Sequence, residues 1–203
     1  MKRRFSPSEL TLGSVFVVLL MIGANIAIWF PFLKITYGAG SVPLSLQTFF
    51  AILAGIILGR KLGSFSVIVY LLIGAAGVPV FAEMSSGLQP FIYPTGGFLL
   101  SFIAVAWVTG YIVEKSQKPN VTVYIAATFA GLMANYLIGT PFMVASTNLV
   151  LEVPLTLTQG AIAMLPFFIK DFVITMGAAV LLPKILGRLS VVNSSIPNHN
   201  TSQ

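Results

Sequence analysis

The sequence predicts an all-α integral membrane protein of six transmembrane helices with both termini in the cytoplasm. Three observations predict it. Of 203 residues, 57% are apolar and only 8% are charged, against about a quarter charged in soluble domains, so one soluble core cannot hide the apolar surface. The apolar residues fall into six runs, at about 11–30, 44–59, 64–80, 95–114, 121–142 and 160–186, near the ~20 residues that a spanning helix needs. The basic residues gather in alternate connections between these runs.

The first run lacks the small-residue cleavage site of a signal peptide and reads as a retained helix. Trp29 stands at its end, where aromatic belt residues sit. The second and third runs are short and would tilt or lean on neighbours; a tight Gly59-Arg60-Lys61-Leu62-Gly63 turn joins them. The fourth carries Trp107 in mid-span, as packing. A short connection from Glu114 to Asn120 leads into the fifth. The sixth, LPFFIKDFVITMGAAVLLPKI, has Pro166 near its expected start, where proline is tolerated. Residues 1–189 are expected to form one membrane domain, and the polar tail 190–203 to be disordered. No internal repeat is evident.

With six spans, Lys2, Arg3, Arg4, Arg60, Lys61, Lys115, Lys118, Lys184 and Arg188 share one side. That is nine of eleven basic residues, so this side is cytoplasmic by the positive-inside rule. The longer connections 31–43, 81–94 and 143–159, with Lys34, Glu83 and Glu152, face outside and suit capture of something from there. The net charge of +6 is therefore a topology signal. No nucleic-acid partner is expected, and the lipid bilayer is the surrounding medium. Three N-x-S/T matches, at Asn120, Asn193 and Asn200, fall on the inner side, where glycosylation is not expected.

Several chemistries lack their residues. Cys is absent, so there is no disulfide framework and no thiolate site. The single His is His199, in the tail, which removes His-based catalytic pairs and metal sites from the spans. No GxxxxGK[ST] loop is present, so ATP is not bound through a P-loop. No two acids lie close in sequence, and intramembrane enzyme chemistry is poorly supported.

Ionisable groups inside a membrane are functional suspects because each costs several kcal/mol on insertion scales. Only Lys170-Asp171 falls well inside a span. Adjacent helical residues point about 100° apart, so the two would line different sides of one cavity and offer a cation and an anion to a small polar ligand. The alternative is a structural ion pair, or Lys170 snorkelling to the outer surface. Asn135, with Tyr136 beside it, is a second polar position; it reads equally as ligand contact or interhelical hydrogen bond. Gln47 and Asn25 read as links between helices. The stretch PVFAEMSSGLQPFIYPTGGF (79–98) interrupts the apolar chain with Pro, Gly and aromatics. It reads either as an ordinary connection or as a roof over an outward-facing pocket, since irregular backbone near membrane depth is tolerated where it packs in protein or lines a cavity.

GAAGVPVFAE followed by SSGLQPFIYPTGGFLLSF, VPLSLQTFFAILAGIILGRKLG, NYLIGTPF and PFFIKDF together resemble the BioY family, the biotin-specific S components of energy-coupling factor (ECF) transporters. The resemblance covers about residues 10–188. It implies the ECF S-component fold and biotin uptake across a prokaryotic cell membrane. The implied partners are a transmembrane T component and two cytoplasmic ATPases. ATP turnover would lie in those partners, with no cofactor in this chain. It assigns Asp171 to the ureido N–H groups of biotin. The family often carries Lys three residues later; here that position is Ile174 and Lys170 precedes the Asp, so Lys170 would take the ligand carboxylate one turn nearer the outside. Asn135, Tyr136, Gln47, Phe81, Glu83, Gln89, Phe91, Tyr93, Thr95, Gly96 and Gly97 complete the implied site, with Phe98 as a further wall. Tyr93 replaces a frequent Gly, and Glu83 a frequent neutral residue. Small residues four apart on the first helix, which such proteins use to pack on the T component, are represented by Gly23 and Ala27. The rival readings are an S component for thiamin or riboflavin, an intramembrane enzyme, and a purely structural subunit. One membrane Asp beside a Lys favours an anionic ligand over cationic thiamin.

Overall fold

The computed structural model describes residues 5–30, 34–37, 40–116 and 118–194, and side chains within 5–30, 44–116 and 118–186. Helix α1 (Pro7–Trp29) begins four residues before the apolar run because polar residues cap it. Ser6 Oγ accepts from the Glu9 N–H at 3.2 Å, and the Glu9 carboxylate accepts from the Ser6 N–H at 2.8 Å. Pro7 fills the first turn, where its missing N–H has no cost.

The connection expected over 31–43 contains strands β1 (Lys34–Tyr37) and β2 (Gly40–Pro43), an antiparallel pair with Lys34 opposite Pro43. This short hairpin lies in a connection, and the spanning elements among the described residues are all helical. The pairing segments carry the β-branched residues Ile35, Thr36 and Val42, which suit a strand.

Helix α2 (Gln47–Ala75) holds the second and third apolar runs as two limbs joined at Gly59, whose φ of 79° and ψ of 167° break the helix. The limbs double back. Gln47 Nε2 lies 2.8 Å from the Tyr70 hydroxyl, whereas 23 residues of straight helix would separate them by about 35 Å. Glu114 secures the bend, accepting from the Arg60 N–H at 2.7 Å and pairing with Arg60 Nε at 3.1 Å. The second limb stops at Ala75, short of the expected residue 80. Gly77 takes φ 103°, a positive φ of the kind that ends helices, and Pro79 cannot continue one.

After α2 the chain makes a 3-10 turn (Ala82–Met84) and the short α3 (Gln89–Ile92) before α4 (Gly96–Lys115). Helix α5 (Val121–Val150) is capped by Asn120, whose side chain accepts from the Val123 N–H at 3.1 Å. It runs through Pro141 to end eight residues beyond the expected limit. Proline interrupts a membrane helix less severely than a soluble one because neighbouring groups satisfy the freed carbonyl. Helix α6 (Leu157–Ser194) starts three residues early. There Thr156 and Gln159 form a reciprocal box, Gln159 N–H to Thr156 Oγ1 at 3.3 Å and Thr156 N–H to Gln159 Oε1 at 2.9 Å. Pro166 therefore sits inside the helix, not near its start. The long connection expected at 143–159 shrinks to 151–156. Helix α6 continues into the first residues of the expected tail; His199 and Asn200 lie outside the described residues.

Among the described residues, α1, α2, α4, α5 and α6 are long and apolar enough to cross a membrane. Helix α2 packs against α1 and α4, α5 against α4, and α6 chiefly against α5. Val17, Leu20, Ile52, Val67, Tyr70, Phe81, Phe102 and Val105 form the buried centre. Leu137 and Leu149 are 72% and 80% exposed; outward apolar surface of this kind on spanning helices faces lipid.

Candidate ligand site

Helix α6 places one carboxylate in the interior, and three elements converge on it. Asp171 is 4% exposed. Its Oδ1 lies 2.6 Å from Lys170 Nζ, and its Oδ2 accepts from the Tyr136 hydroxyl of α5 at 2.9 Å. Lys170 also donates to the Ser45 carbonyl, just before α2. Helical spacing alone would point the two charges to different sides of a cavity. They meet because the flexible lysine stem bends across the divergence of the Cα–Cβ bonds. Pairing is what burial demands, since an isolated charge at this depth would be prohibitive. Apolar rings flank the cluster. Tyr136 stands edge-on to Phe98 at 5.8 Å and to Phe168 at 5.2 Å between centroids.

A second polar layer fixes the segment between α2 and α4. Ser45 Oγ donates to Gln47 Oε1 at 3.1 Å, Gln47 Nε2 to the Tyr70 hydroxyl at 2.8 Å, and Tyr70 to the Val80 carbonyl at 3.2 Å. Asn25 of α1 donates to the same carbonyl at 3.4 Å and accepts from the Met84 N–H at 2.9 Å. Ser146 of α5 donates to the Ile92 carbonyl at 2.6 Å. Phe81 is 1% exposed, edge-on to Tyr70 at 5.5 Å and to Phe91 at 5.4 Å. Residues 76–95 are thus a packed cap tied to α1, α2 and α5, not a loose connection.

Lys170, Asp171 and Tyr136 come together directly, and Gln47 joins them through Ser45. Asn135 points elsewhere: 2% exposed, it binds Ser101 at 2.6 Å and Thr48 at 3.3 Å, clamping α2, α4 and α5. Phe81 and Phe91 pack the cap. Glu83, Gln89, Tyr93 and Thr95 lie on the exposed side of the cap, and the Thr95 hydroxyl stays within it, donating to the Pro90 carbonyl at 3.5 Å. Gly96 and Gly97 are buried where a Cβ would strike the Phe91 carbonyl and the Phe142 ring; they permit close packing of α3 and α5 on α4. Gly23 and Ala27 of α1 are also buried, Gly23 against Phe50 and Leu46, so they face this chain's own interior and not an outer coupling surface. Ile174 points outward at 36% exposure.

Sequence reasoning missed Ser45, Tyr70, Phe168 and Ser101. A backbone carbonyl leaves no side-chain signature, which hides Ser45, while Tyr70 and Ser101 look like ordinary residues of apolar runs. Two apolar hollows lie away from the cluster. One, of about 150 Å³, is between α1 and the second limb of α2, lined by Gly13, Val17 and Phe65 among others. The other, of about 290 Å³, is between α3 and the end of α5, lined by Phe91, Phe142 and Leu149 among others. Around Asp171 the chain's own groups occupy the polar positions.

Comparison with known proteins identifies the family and the fold. The chain is 32% identical over 201 residues to BioYB of Bacillus subtilis (strain 168), covering 99% of this chain and 98% of that protein. It is 39% identical over 131 residues to the biotin transporter BioY of Thermotoga maritima, covering 64% of this chain and 71% of that one. The fold is similar to the crystal structure at 2.1 Å of the S-component for biotin from an ECF-type ABC transporter, with a TM-score of 0.67 at 22% identity over 91% of this chain and 95% of that one. The model of the BioY family matches residues 1–190. The chain, a multi-pass membrane protein with a buried Lys–Asp pair on its last helix, belongs to the BioY family.

Proposed function

We propose that this protein binds biotin at the outer membrane face and delivers it inward as the S component of an ECF-type ABC transporter. The carrying observation is the family match across residues 1–190, with a relative at 39% identity that is a biotin transporter. The protein moves its ligand unaltered and is a transporter subunit, not an enzyme. The finer parts of the reading are the two limbs of α2 as separate crossings, six in all, and both termini in the cytoplasm of a prokaryote, as the basic residues favour. A T component and two ATPases would supply the energy.

The site residues proposed are Asp171 for the ureido N–H groups and Lys170 for the carboxylate, with Tyr136, Phe98 and Phe168 against the apolar middle. The two ends of biotin are far apart, whereas Lys170 and Asp171 hold each other at 2.6 Å. Gripping both ends therefore requires Lys170 to leave Asp171, and binding is an exchange of partners. The ureido group replaces the ammonium at Asp171, and the ligand carboxylate replaces both Asp171 and the Ser45 carbonyl at Lys170.

Uptake tests this. Biotin-auxotrophic bacteria without their own carrier, supplied with this chain and an energising module, should accumulate radiolabelled biotin, and unlabelled biotin should compete. Accumulation of thiamin or riboflavin instead would move the specificity. Uptake of none of the three would reject the carrier reading.

A further inference from the structure

The Asp171 site and the 76–95 cap are joined by a run of polar contacts, part-buried at Lys170 and Ser45 and buried from Gln47 onward, in which every member donates onward. Lys170 donates to Ser45 through its carbonyl. Ser45 Oγ donates to Gln47 Oε1 at 3.1 Å, Gln47 Nε2 to Tyr70 Oη at 2.8 Å, and Tyr70 Oη to the Val80 carbonyl at 3.2 Å. Gln47 is 5% exposed, and Tyr70 and Val80 are 0% exposed, so water does not compete for the Gln47–Tyr70 and Tyr70–Val80 bonds. Breaking one leaves a buried group unsatisfied, which makes a partial rearrangement costly and favours two discrete arrangements over a continuum. The far end of the run reaches the cap's anchor, because the Val80 carbonyl also takes Asn25, and Asn25 holds the Met84 N–H.

We infer that Ser45 is a positioning residue that couples occupancy of the Asp171 site to the cap. The inference rests on the reading of biotin as ligand. When the ligand carboxylate draws Lys170 away, the Ser45 carbonyl loses its cationic donor and Ser45 can reorient next to Leu46, whose N–H stays on the Gly23 carbonyl at 2.8 Å. The Ser45 hydroxyl carries that shift to Gln47 and Tyr70, and so to the carbonyl on which residues 80–84 hang. The connection needs no ligand contact at Ser45, Gln47 or Tyr70. It also gives a use to the hydrogen bond between the buried Gln47 amide and the buried Tyr70 hydroxyl across the two limbs of α2. Intermediacy in space is not itself coupling, so the test must cut the run without removing the site.

Ser45→Ala does so, because it deletes the hydroxyl and keeps the carbonyl that Lys170 uses. Tyr70→Phe cuts the same run further along while preserving the ring against Phe81. Amide hydrogen exchange of peptides covering 78–88 is measured on the purified full chain, with and without saturating biotin. In the wild type, biotin should change exchange in this segment by about 5-fold or more, the usual lower range of coupling between sites. Both variants should bind biotin within about threefold of wild type, yet show less than about a twofold response in the cap. A full cap response in both variants overturns the inference, as does a wild type that binds biotin with no response. A folded wild type that binds no biotin fails the ligand reading itself and removes the relay's trigger with it.

Discussion

Lys170 and Asp171 are neighbours on one helix whose charged ends meet at 2.6 Å, although their Cα–Cβ bonds diverge by about 100°. Of the two side chains, 17% and 5% is accessible respectively, so the pair is internal and its charges satisfy each other. This makes the lysine both the site's cation and its occupant.

Lys170→Met should therefore weaken biotin binding by about 10- to 150-fold, the equivalent of ~1.5–3 kcal/mol for a hydrogen bond to a charged group. Replacing the biotin carboxylate with an amide should weaken binding to wild type but add little in Lys170→Met. Ile174→Ala, on the outward face, should stay within about twofold, as surface changes do. Equilibrium binding of the four combinations is the check, and equal affinity of Lys170→Met and wild type would remove the lysine from the site.

Gly59→Ala should destabilise the chain by about 1–3 kcal/mol, the cost of holding an L-residue in a sparsely populated backbone region. The new Cβ would also meet the Glu114 carboxylate at 2.5 Å, the far end of a flexible side chain that can swing aside at the expense of its bond to the Arg60 N–H. Glu114→Gln keeps an acceptor for the Arg60 N–H and loses an ion pair whose side chains are 34% and 43% exposed, so it should cost no more than about 1 kcal/mol. Thermal unfolding in detergent orders the three proteins. A Gly59→Ala midpoint equal to wild type would contradict the role of the bend.

Much of this was legible in advance, for identifiable reasons. Apolar run length located the helices, because lipid demands it, and Gly59 with two adjacent basic residues marked the bend. The end of α5 was placed too early because the polar Ser146-Thr147-Asn148 breaks the apolar run, whereas the helix continues to Val150 with Ser146 on the Ile92 carbonyl and Thr147 on the Met143 carbonyl. The start of α6 was available in Thr156-Leu157-Thr158-Gln159 as a capping pattern, but hydropathy alone does not register it. At the site, an acid inside a span was visible as such. Its pairing with Lys170 was one of the readings left open, because the reach of a lysine stem decides that, and sequence spacing speaks only of where the stem begins. Asn135 left two uses open, and only the partners Ser101 and Thr48 decide for a clamp.

Asn135→Ala should accordingly cost stability without costing affinity. Removing the amide strands the Thr48 hydroxyl in the interior, worth about 1–3 kcal/mol, while Ser101 keeps the Phe98 carbonyl at 2.8 Å. Biotin affinity should remain within about threefold of wild type, a shift below 1 kcal/mol. Thermal unfolding and ligand titration on the same preparation separate the two effects; a large affinity loss at unchanged stability would return Asn135 to the binding residues.

The most direct test of the central claim is equilibrium binding of radiolabelled biotin to the purified full chain in detergent, beside Asp171→Asn. The account predicts saturable binding by the wild type and a loss of at least about tenfold in the variant, since a carboxylate's charge-assisted bonds to the ureido N–H groups are replaced by weaker neutral ones. Saturable binding that Asp171→Asn leaves unchanged, in protein shown to be folded, would contradict it and move the ligand away from the α6 ion pair.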